Sequence, residues 1–302
     1  MPAAEIDISA DLVRRLLGAQ HPDLAHLPIS VLANGWDNLI CRLGDELLVR
    51  LPRRALAARL TEHEQRWLPL LARRLPLPVP APVRVGRPDA GYPWSWSIVP
   101  YLPGRTAADE PADPSAAASA MGGFLAALHE PAPAEAPANQ VRGVPLADRV
   151  ELVTGHLAAL SGEVDVATAR RVWAAALARP RWGGAPVWVH GDLHPANILV
   201  ERGRISGILD FGDITSGDPA TDLSVGWMLL PADCREEFRD SYRYASPHGL
   251  DDDTWARARG WALTLALSFL ANSADNPRMA AIGASTLRAV LNEVERPNAH
   301  PA

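Results

Sequence analysis

The sequence contains no lysine, so all 29 of its basic residues are arginine. A lysine that forms a Schiff base and a lysine that binds phosphate are therefore both excluded. Any cation acting on a phosphate here must be an arginine, which stays charged and binds oxyanions through two parallel N–H donors. The 35 acidic residues outnumber the arginines, and the formal net charge of -6 disfavours a nucleic-acid partner, which needs a basic surface.

Cysteines and long apolar runs are also scarce. The two cysteines, Cys41 and Cys234, belong to no C-x-x-C or Cys/His pattern, so a structural zinc site is not expected. The longest apolar run, residues 261–271, is interrupted by Thr264 and Ser268 and is too short for a membrane span. The N-terminal segment has no apolar signal core. These features predict a soluble cytoplasmic protein with no membrane partner.

The composition of the 302 residues, with 48% hydrophobic and 21% charged, is typical of a globular protein. In the first hundred residues, β-rich runs at 39–43 and 46–51 flank Gly44-Asp45, which predicts a hairpin. A helix is expected at about 54–74, after a short one at 11–19. A strand at 93–101 leads into Leu102-Pro103-Gly104, a candidate hinge.

After the hinge the sequence becomes mainly helical. Helices are predicted at 114–130, 146–160, 166–179, 219–230, 233–244, 254–271 and 278–295, and a strand-turn-strand at 188–201 and 204–210. Residues 131–140 are so rich in Pro and Ala that we expect an exposed loop. The pattern predicts an α+β protein of two lobes, 1–102 and 103–302. The first would hold an antiparallel sheet and one helix, the second mostly helices, with a ligand cleft between them.

The block 187–213, VWVHGDLHPANILVERGRISGILDFGD, carries the chemistry. Asp192 follows an apolar strand, Asn197 lies five residues later, and Asp210 ends a second strand before Phe-Gly. Kinases use this order: an Asp that orients or deprotonates the attacking hydroxyl, then an Asn and an Asp that hold Mg²⁺ on the phosphates. An alternative is a metal-dependent hydrolase, in which His190, Asp192 and His194 form a metal triad. That alternative leaves Asn197 and Asp210 without a role.

The segments HGDLHPANILV, ILDFGD and GDPATDLS resemble the aminoglycoside phosphotransferase (APH) family of small-molecule kinases. The resemblance implies a bilobal protein-kinase-like fold, ATP or GTP with Mg²⁺ as cofactors, and a small-molecule hydroxyl acceptor, in a monomer or homodimer. It implies Asp192 as the catalytic base and Asn197 and Asp210 as the metal ligands. It also implies that His190 holds the loop, and that Asp222 braces that loop from the start of a helix.

In the small lobe, the resemblance places Arg50 where the family usually carries lysine, to bind the nucleotide phosphates. An arginine exposed on a strand is the alternative. The paired acid is expected to be Glu64, with Glu62 as the alternative. These two lie on different faces of the helix. The loop 32–39 with Gly35 would cover the phosphates, or form a plain turn. Backbone groups near Val99 and Tyr101 would bind the adenine.

The acceptor is the least specified part of the prediction. Asp251, Asp252 and Asp253 resemble a cation trap, but an acidic run before a helix is more often a cap and a partner of the helix dipole. Five large apolar residues of the second lobe are more often core than pocket at helical spacing: Trp227, Met228, Trp255, Trp261 and Phe269. The aromatic content of this lobe fits a large, partly apolar hydroxylated acceptor better than a polycation. The acceptor could be an aminoglycoside-like or macrolide-like antibiotic, a modified sugar, or a sugar or amino alcohol metabolite. A catalytically impaired nucleotide- or ligand-binding protein of the same fold is the rival hypothesis, because the lysine is missing.

Overall fold

The computed structural model describes residues 3–293. Its first sheet has five antiparallel strands in the order β1-β2-β3-β5-β4. The strands are β1 (Ile29–Asn34), β2 (Asn38–Leu43), β3 (Leu47–Pro52), β4 (Arg84–Gly86) and β5 (Trp96–Pro100). The predicted hairpin is confirmed, since β2 pairs with β3 and Gly44 takes a positive φ of 58° in the turn, which glycine adopts without strain.

Two helices pack in this lobe. In α1 (Ala10–Gln20), the Ser9 side chain caps the first turn by accepting from the Leu12 N–H at 3.2 Å. The buried face of α1 joins the inner faces of β2, β3 and β5 in a small hydrophobic core. The longer helix, α2 (Ala55–Leu71), follows β3 directly and buries Glu64 on the side that faces the rest of the molecule.

The end of α2 belongs to the larger of the two cores. Leu68 and Leu71 pack with residues of the second half of the chain, and the Ile208 N–H donates to the Pro78 carbonyl at 3.0 Å. At the candidate hinge, Gly104 has a φ of 125°, and a Cβ there would lie 2.8 Å from the Val200 carbonyl oxygen. The chain therefore passes tightly against the second half of the protein as soon as it leaves the first sheet.

The second half is mainly helical, as expected. Its helices are α3 (Pro114–Leu128), α4 (Val150–Ala159), α5 (Val166–Leu177), α6 (Ala220–Leu223), α7 (Val225–Leu229), α8 (Arg235–Ala245), α9 (Asp252–Asn272) and α10 (Pro277–Leu291). The predicted last helix extends to 295, and positions 294 and 295 lie outside the described residues. Helix α9 is central, and buries Trp261 among α5, α6 and α10. Within residues 3–293, no helix combines the length and apolarity needed to cross a bilayer.

Small strands join these helices: β6 (Arg105–Thr106), β7 (Val187–Val189), β8 (Ile198–Glu201), β9 (Arg204–Ile208) and β10 (Thr215–Gly217). Two predictions were wrong in detail. The strand expected at 188–201 is broken between β7 and β8, because the N–H groups of His190 and Gly191 donate to the distant Asp222 carboxylate and residues 190–197 form a loop. The helix expected at 219–230 is split at Ser224, whose hydroxyl donates to the Thr221 carbonyl at 2.6 Å.

Candidate active site

A narrow cleft lies between the first sheet with α2 and the loops that follow β7 and β9. Residues from both halves of the chain line it: Asp37, Asn38, Arg50, Leu60, Thr61, Glu64, Asp192, Asp210, Gly212 and Asp213. Four residues singled out from the sequence, Arg50, Glu64, Asp192 and Asp210, therefore face one small space. They are separated by up to 160 positions in the chain, and only the fold brings them together.

The loop after β7 is held by one buried carboxylate. Asp222 accepts hydrogen bonds from the His190 N–H at 2.6 Å and the Gly191 N–H at 2.9 Å, and its side chain is fully buried. His129 lies 3.2 Å from the same carboxylate and 2.9 Å from the Tyr242 hydroxyl. Asp222 therefore holds the loop, as the resemblance implies, and His129 and Tyr242 extend this buried polar network on the other side of Asp222.

His190 holds the loop from the inside. Its ring lies 4.5 Å from that of Phe211 and is fully buried. Nδ1 accepts from the Asp192 N–H at 3.2 Å, and Nε2 is 2.9 Å from the Leu209 carbonyl oxygen. An acceptor at Nδ1 and a donor at Nε2 define one neutral tautomer. His190 thus ties the start of the loop to the end of β9, which carries Asp210.

The Asp192 carboxylate is flanked by two nitrogen-bearing side chains. Arg142 Nη2 lies 3.4 Å from Oδ1, and His194 Nε2 lies 3.4 Å from Oδ2. Desolvation alone would raise the pKa of Asp192, but its interactions with His194 and with the Arg142 guanidinium outweigh that effect and hold the pKa well below its usual range. With 26% of its side chain exposed, Asp192 is an ionised acceptor that a small molecule can reach.

Asn197 and Asp210 present oxygen atoms of the kind that Mg²⁺ prefers. The Asn197 Nδ2 donates to the Asp192 carbonyl at 2.9 Å, which leaves its Oδ1 as the atom for a cation. Asp210 adopts a positive φ of 60°, a conformation that Asp tolerates better than most residues. Its carboxylate is 56% exposed. In residues 3–293, no group of three or more His, Cys, Asp and Glu forms a metal site of its own.

Arg50 and Glu64 form a buried ion pair. Nη1 of Arg50 lies 3.0 Å from Oε1 of Glu64, and the side chains are 11% and 5% exposed. The same Oε1 accepts from the Phe211 N–H at 3.1 Å, and Arg50 Nη2 lies 3.8 Å from Asp210. The sequence left Glu62 as an alternative to Glu64. Glu62 is exposed, whereas Glu64 joins the first sheet to the segment that carries Asp210.

The phosphate-covering loop is shorter than predicted. Only residues 35–37 separate β1 from β2, and the Gly35 N–H donates to the Asn38 carbonyl at 2.9 Å. The Gly35 amide therefore closes its own turn, and the members of this loop region that line the cleft are Asp37 and Asn38. Asn38 was not singled out from the sequence. Its Oδ1 is buried and has no partner in the described part of the chain.

Val99 and Tyr101 lie where the first sheet ends. Val99 is fully buried in β5 opposite Leu48. The Tyr101 N–H already donates to the Glu46 carbonyl at 2.7 Å, and the Arg42 guanidinium stacks on the Tyr101 ring at 3.4 Å. The Tyr101 N–H is therefore already paired within the protein, so a purine bound here would have to use the Tyr101 carbonyl oxygen instead.

The residues considered for acceptor binding are mostly core or cap. Trp227, Trp255 and Trp261 are 2%, 9% and 0% exposed, and Asp251 caps α9 by accepting from the Thr254 N–H at 2.6 Å. Asp252 and Asp253 pair with arginines. Phe269 differs, because it is only partly buried and its ring lies 5.5 Å from that of His194, next to Asp192. Phe269 is thus the aromatic residue of this set that contacts the loop carrying Asp192.

The predicted exposed loop, 131–140, contributes Asn139 to the site, and Arg142 follows two residues after it. Asn139 Nδ2 donates to Asp213 Oδ1 at 2.8 Å, and Arg142 reaches Asp192. Burial raises the pKa of Asp213, and the nearby Asp192 charge adds to that effect. Sequence reasoning missed Asn139 and Arg142. Neither stands in a motif, and one arginine among 29 carries no local signal.

Comparison with known proteins agrees with this geometry. The chain matches the Phosphotransferase enzyme family, APH, over residues 28–261. It is 33% identical over 87 residues to the Escherichia coli aminoglycoside 3'-phosphotransferase, in an alignment that covers 28% of the chain. Alignments with two curated relatives span only 14% and 30% of the lengths of those proteins.

Two solved structures share the fold over nearly the whole chain. The GDP complex of wild-type aminoglycoside 2'-phosphotransferase-IIIa is 17% identical with a TM-score of 0.66, covering 92% of this chain and 97% of that one. The apoenzyme of macrolide 2'-phosphotransferase MphH from Brachybacterium faecium is 24% identical with a TM-score of 0.59, covering 95% and 99%. The predicted kinase-like α+β fold is confirmed.

Proposed function

The chain belongs to the APH phosphotransferase enzyme family, and from this premise we propose that it is a small-molecule O-phosphotransferase, which transfers the γ-phosphate of ATP or GTP to a hydroxyl group. One observation carries the proposal. Four side chains line a single cleft: Arg50, Glu64, Asp192 and Asp210. In this proposal they are, in that order, the cation for the phosphates, its acidic partner, the base and a metal ligand. Phosphoryl transfer depends mainly on such positioning and charge stabilisation.

The small-lobe side of the cleft would bind the phosphates. Arg50 is held in place by Glu64 at 3.0 Å and points one Nη toward Asp210 at 3.8 Å. A guanidinium fixed in this way can bind phosphate oxygens through its remaining N–H groups. Burial among these carboxylates leaves the pKa of Arg50 raised, because Glu64 and Asp210 outweigh the desolvation that would lower it. Arg50 would therefore stay charged throughout the reaction.

The donor set of the cleft fits Mg²⁺. Asp210 offers an exposed carboxylate and Asn197 a free amide oxygen, and Mg²⁺ completes its shell with water and substrate phosphates. Bound there, Mg²⁺ would neutralise charge that develops on the phosphates. Asp192 would accept a hydrogen bond from the attacking hydroxyl and orient it toward the γ-phosphate. A positioned base of this kind contributes about 10²–10⁴-fold to the rate.

The acceptor we propose is a hydroxylated small molecule, of which aminoglycoside-like and macrolide-like antibiotics are the first classes to test. The structural neighbours named above act on these classes, and antibiotic resistance would be the consequence. Phe269 beside His194 favours an acceptor with an apolar face. The two free cysteines, Cys41 and Cys234, favour a reducing cytoplasmic setting.

A second candidate is a nucleotide-binding protein that has lost catalysis. The observation favouring it is Arg50, which replaces a compact ammonium with a planar guanidinium. The intact set of Asp192, Asn197 and Asp210 favours an enzyme. The two candidates share nucleotide binding and differ in turnover.

The test is a thermal-shift titration with ATP and GTP, each with and without Mg²⁺, followed by acceptor screening with the nucleotide that binds. A ligand that binds only the native state at about 100 times its Kd stabilises by about 2.7 kcal/mol. We expect a rise in Tm that requires Mg²⁺. Asp210→Asn should abolish the Mg²⁺-dependent part, while Asp148→Asn, outside the cleft, should retain it. No shift at millimolar nucleotide contradicts the proposal, and a shift without phosphorylation of any acceptor favours the second candidate.

A further inference from the structure

Residues 137–143, here called the strap, lie across the segment that follows Asp210. At the start of the strap, the Pro137 carbonyl accepts from the Thr215 hydroxyl at 2.9 Å and from the Ser216 N–H at 3.2 Å. The Asn139 N–H donates to the Thr215 hydroxyl at 3.0 Å, and Asn139 Nδ2 donates to Asp213. The first half of the strap is therefore fixed to the edge of β10.

The end of the strap is fixed independently. The Gly143 N–H donates to the Thr221 hydroxyl at 3.2 Å, and the Gly143 carbonyl accepts from the Asp218 N–H at 3.0 Å. The approach is close enough to require glycine: a Cβ on Gly217 would lie 2.0 Å from the Gly143 oxygen, and Gly143 itself has a φ of 68°. Both ends of the strap are thus held on residues 213–221.

Arg142 lies between these two attachments. Its own N–H donates to Asn139 Oδ1 at 3.2 Å, and its Nη2 lies 3.4 Å from Asp192 Oδ1. The Arg142 side chain is 18% exposed, and its Nε is buried without a partner in the part of the chain that the structure describes. The contact with Asp192 is the one ion pair that Arg142 makes among the described residues.

The two oxygens of Asp192 are held from different directions. Arg142 contacts Oδ1 from the strap, and His194 contacts Oδ2 from the loop that carries Asp192 itself. His194 is fixed by its own loop, whereas Arg142 comes from 50 residues earlier. A carboxylate held at both oxygens keeps one plane, and a base must lie within hydrogen-bond reach of the hydroxyl that it orients.

We propose that Arg142 is a positioning residue, which the strap holds against Asp192 Oδ1 so that the carboxylate keeps the orientation needed to receive the acceptor hydroxyl. The inference rests on the proposed function, because it assumes that Asp192 orients a hydroxyl. Arg142 acts through Asp192 and touches neither nucleotide nor acceptor.

The first experiment measures the contact without any need for activity. Urea unfolding of the full chain is compared for the wild type, Arg142→Ala, Asp192→Asn and the double variant. Residues in direct contact give non-additive effects, whereas independent sites add. We expect the double variant to depart from additivity by at least about twofold in the unfolding equilibrium constant. Additive effects would overturn the inference, whatever the enzyme does.

The second experiment measures turnover of Mg²⁺-ATP or Mg²⁺-GTP with water as the acceptor, using the nucleotide that raises Tm. We expect Arg142→Ala to lower kcat by about 10- to 100-fold while KM for the nucleotide changes little, since a misplacement near 1 Å can cost about 10²-fold. Arg142→Lys should recover part of the loss. In the Asp192→Asn background, Arg142→Ala should have little further effect on kcat, because its target carboxylate is gone.

Arg149 provides the matched control. It also carries a buried Nε without a partner among residues 3–293, and its pKa is lowered by burial and then by the nearby Arg142 charge. It makes no ion pair with Asp192. Arg149→Ala should therefore leave kcat within about threefold of the wild type. An equal loss in both variants would mean that the positive field matters rather than the contact, and would overturn the inference.

Two further outcomes would decide against Arg142 as a positioning residue. A rise in kcat in Arg142→Ala would mean that the arginine obstructs the base. A rise in KM with unchanged kcat would mean that it binds nucleotide. Absence of turnover in the wild type, both with water and with every acceptor screened, would instead contradict the proposed function, and the unfolding comparison would still report whether Arg142 holds Asp192. Gly217→Ala, which displaces the strap, should reproduce the kcat loss of Arg142→Ala.

Discussion

The two ends of the cleft have opposite charge arrangements. At the small-lobe end, one guanidinium, Arg50, faces the carboxylates of Glu64 at 3.0 Å and Asp210 at 3.8 Å. At the other end, one carboxylate, Asp192, faces Arg142 and His194, each at 3.4 Å. The first end has more carboxylates than guanidinium groups, and at the second end the Asp192 carboxylate lies between two nitrogen-bearing side chains, with Asp213 nearby.

This difference separates the two tasks of a phosphotransferase. Under the proposed function, the surplus of carboxylates at the first end would repel a bare nucleotide and accept it as the Mg²⁺ complex, because the cation would supply the missing positive charge. The carboxylate that is held ionised at the second end would be a constant acceptor for a hydrogen bond from the hydroxyl. Changing one group at each end should therefore alter different properties of the protein.

The largest effect is expected at the base. Asp192→Asn removes the charge that orients the hydroxyl and should lower kcat by about 10²–10⁴-fold, with nucleotide binding retained. Steady-state phosphorylation of the first acceptor identified would measure this, with Asp148→Asn as the control. Near-full turnover in Asp192→Asn, with an unchanged circular dichroism spectrum, would contradict the role of Asp192 as the base.

The next effect is expected at the cation. Arg50→Ala leaves the Glu64 side chain, which is 5% exposed, without its partner, which should cost about 3 kcal/mol of unfolding free energy and weaken Mg²⁺-nucleotide binding at least about tenfold. Arg50→Lys keeps the ion pair and should stay within about 1 kcal/mol of the wild type. Urea denaturation and nucleotide titration measure the two quantities. Equal losses in both variants would show that the guanidinium shape, and not its charge, is what matters.

A smaller effect distinguishes the two candidate acids of α2. Glu64 accepts from Arg50 and from the Phe211 N–H, so Glu64→Gln should lower the unfolding free energy by about 1–3 kcal/mol. The exposed Glu62 is its matched control, and Glu62→Gln should change stability by less than about 0.5 kcal/mol. If the two variants were equally stable, the buried pair would not hold the small lobe to the segment carrying Asp210.

The smallest effect is a pH dependence of stability. The pKa of Asp192 in the folded protein lies below its ordinary value of 3.8, so its ionised form stabilises the fold. This contribution is complete above about pH 5 and is lost as the pH falls through the lowered pKa. The difference in unfolding free energy between the wild type and Asp192→Asn should therefore shrink from pH 6 to pH 3. A difference that grows on acidification would mean that the folded pKa is raised instead.

Local sequence patterns predicted most of the helices and the central hairpin. Gly44 sits in the turn between two β-rich runs, and the motif spacing placed Asp192, Asn197 and Asp210 in one block. Periodicity failed where tertiary contacts override it. The run 188–201 has the composition of a strand, but Asp222 takes the N–H groups of His190 and Gly191 from 31 or 32 residues away. No pattern within the run reports that competition.

Site residues that belong to one short motif could be predicted from the sequence, and those that depend on contacts between distant parts of the chain were harder to predict. The grouping of Asp192, Asn197 and Asp210 follows from spacing within 19 positions of the chain, whereas the pairing of Arg50 with Glu64 was suggested only by the family resemblance. Gly35 was selected because glycine suits a phosphate loop, yet its N–H closes a turn with Asn38. Arg142 was missed altogether, since its partner lies 50 residues further along the chain.

The sequence by itself determined the family, the α+β class and the carboxylate and amide groups available for phosphoryl transfer, because those depend on residue types at short, fixed spacings. The tertiary structure decided which groups meet. Glu64 is buried against Arg50, whereas Glu62 is exposed. The end of the Pro- and Ala-rich loop forms part of the strap, which is hydrogen-bonded to Thr215 and Asp218. Arg142 in the strap contacts Asp192. Charge acts through space, and the distance through space between residues far apart in the chain is fixed only when the whole core has packed.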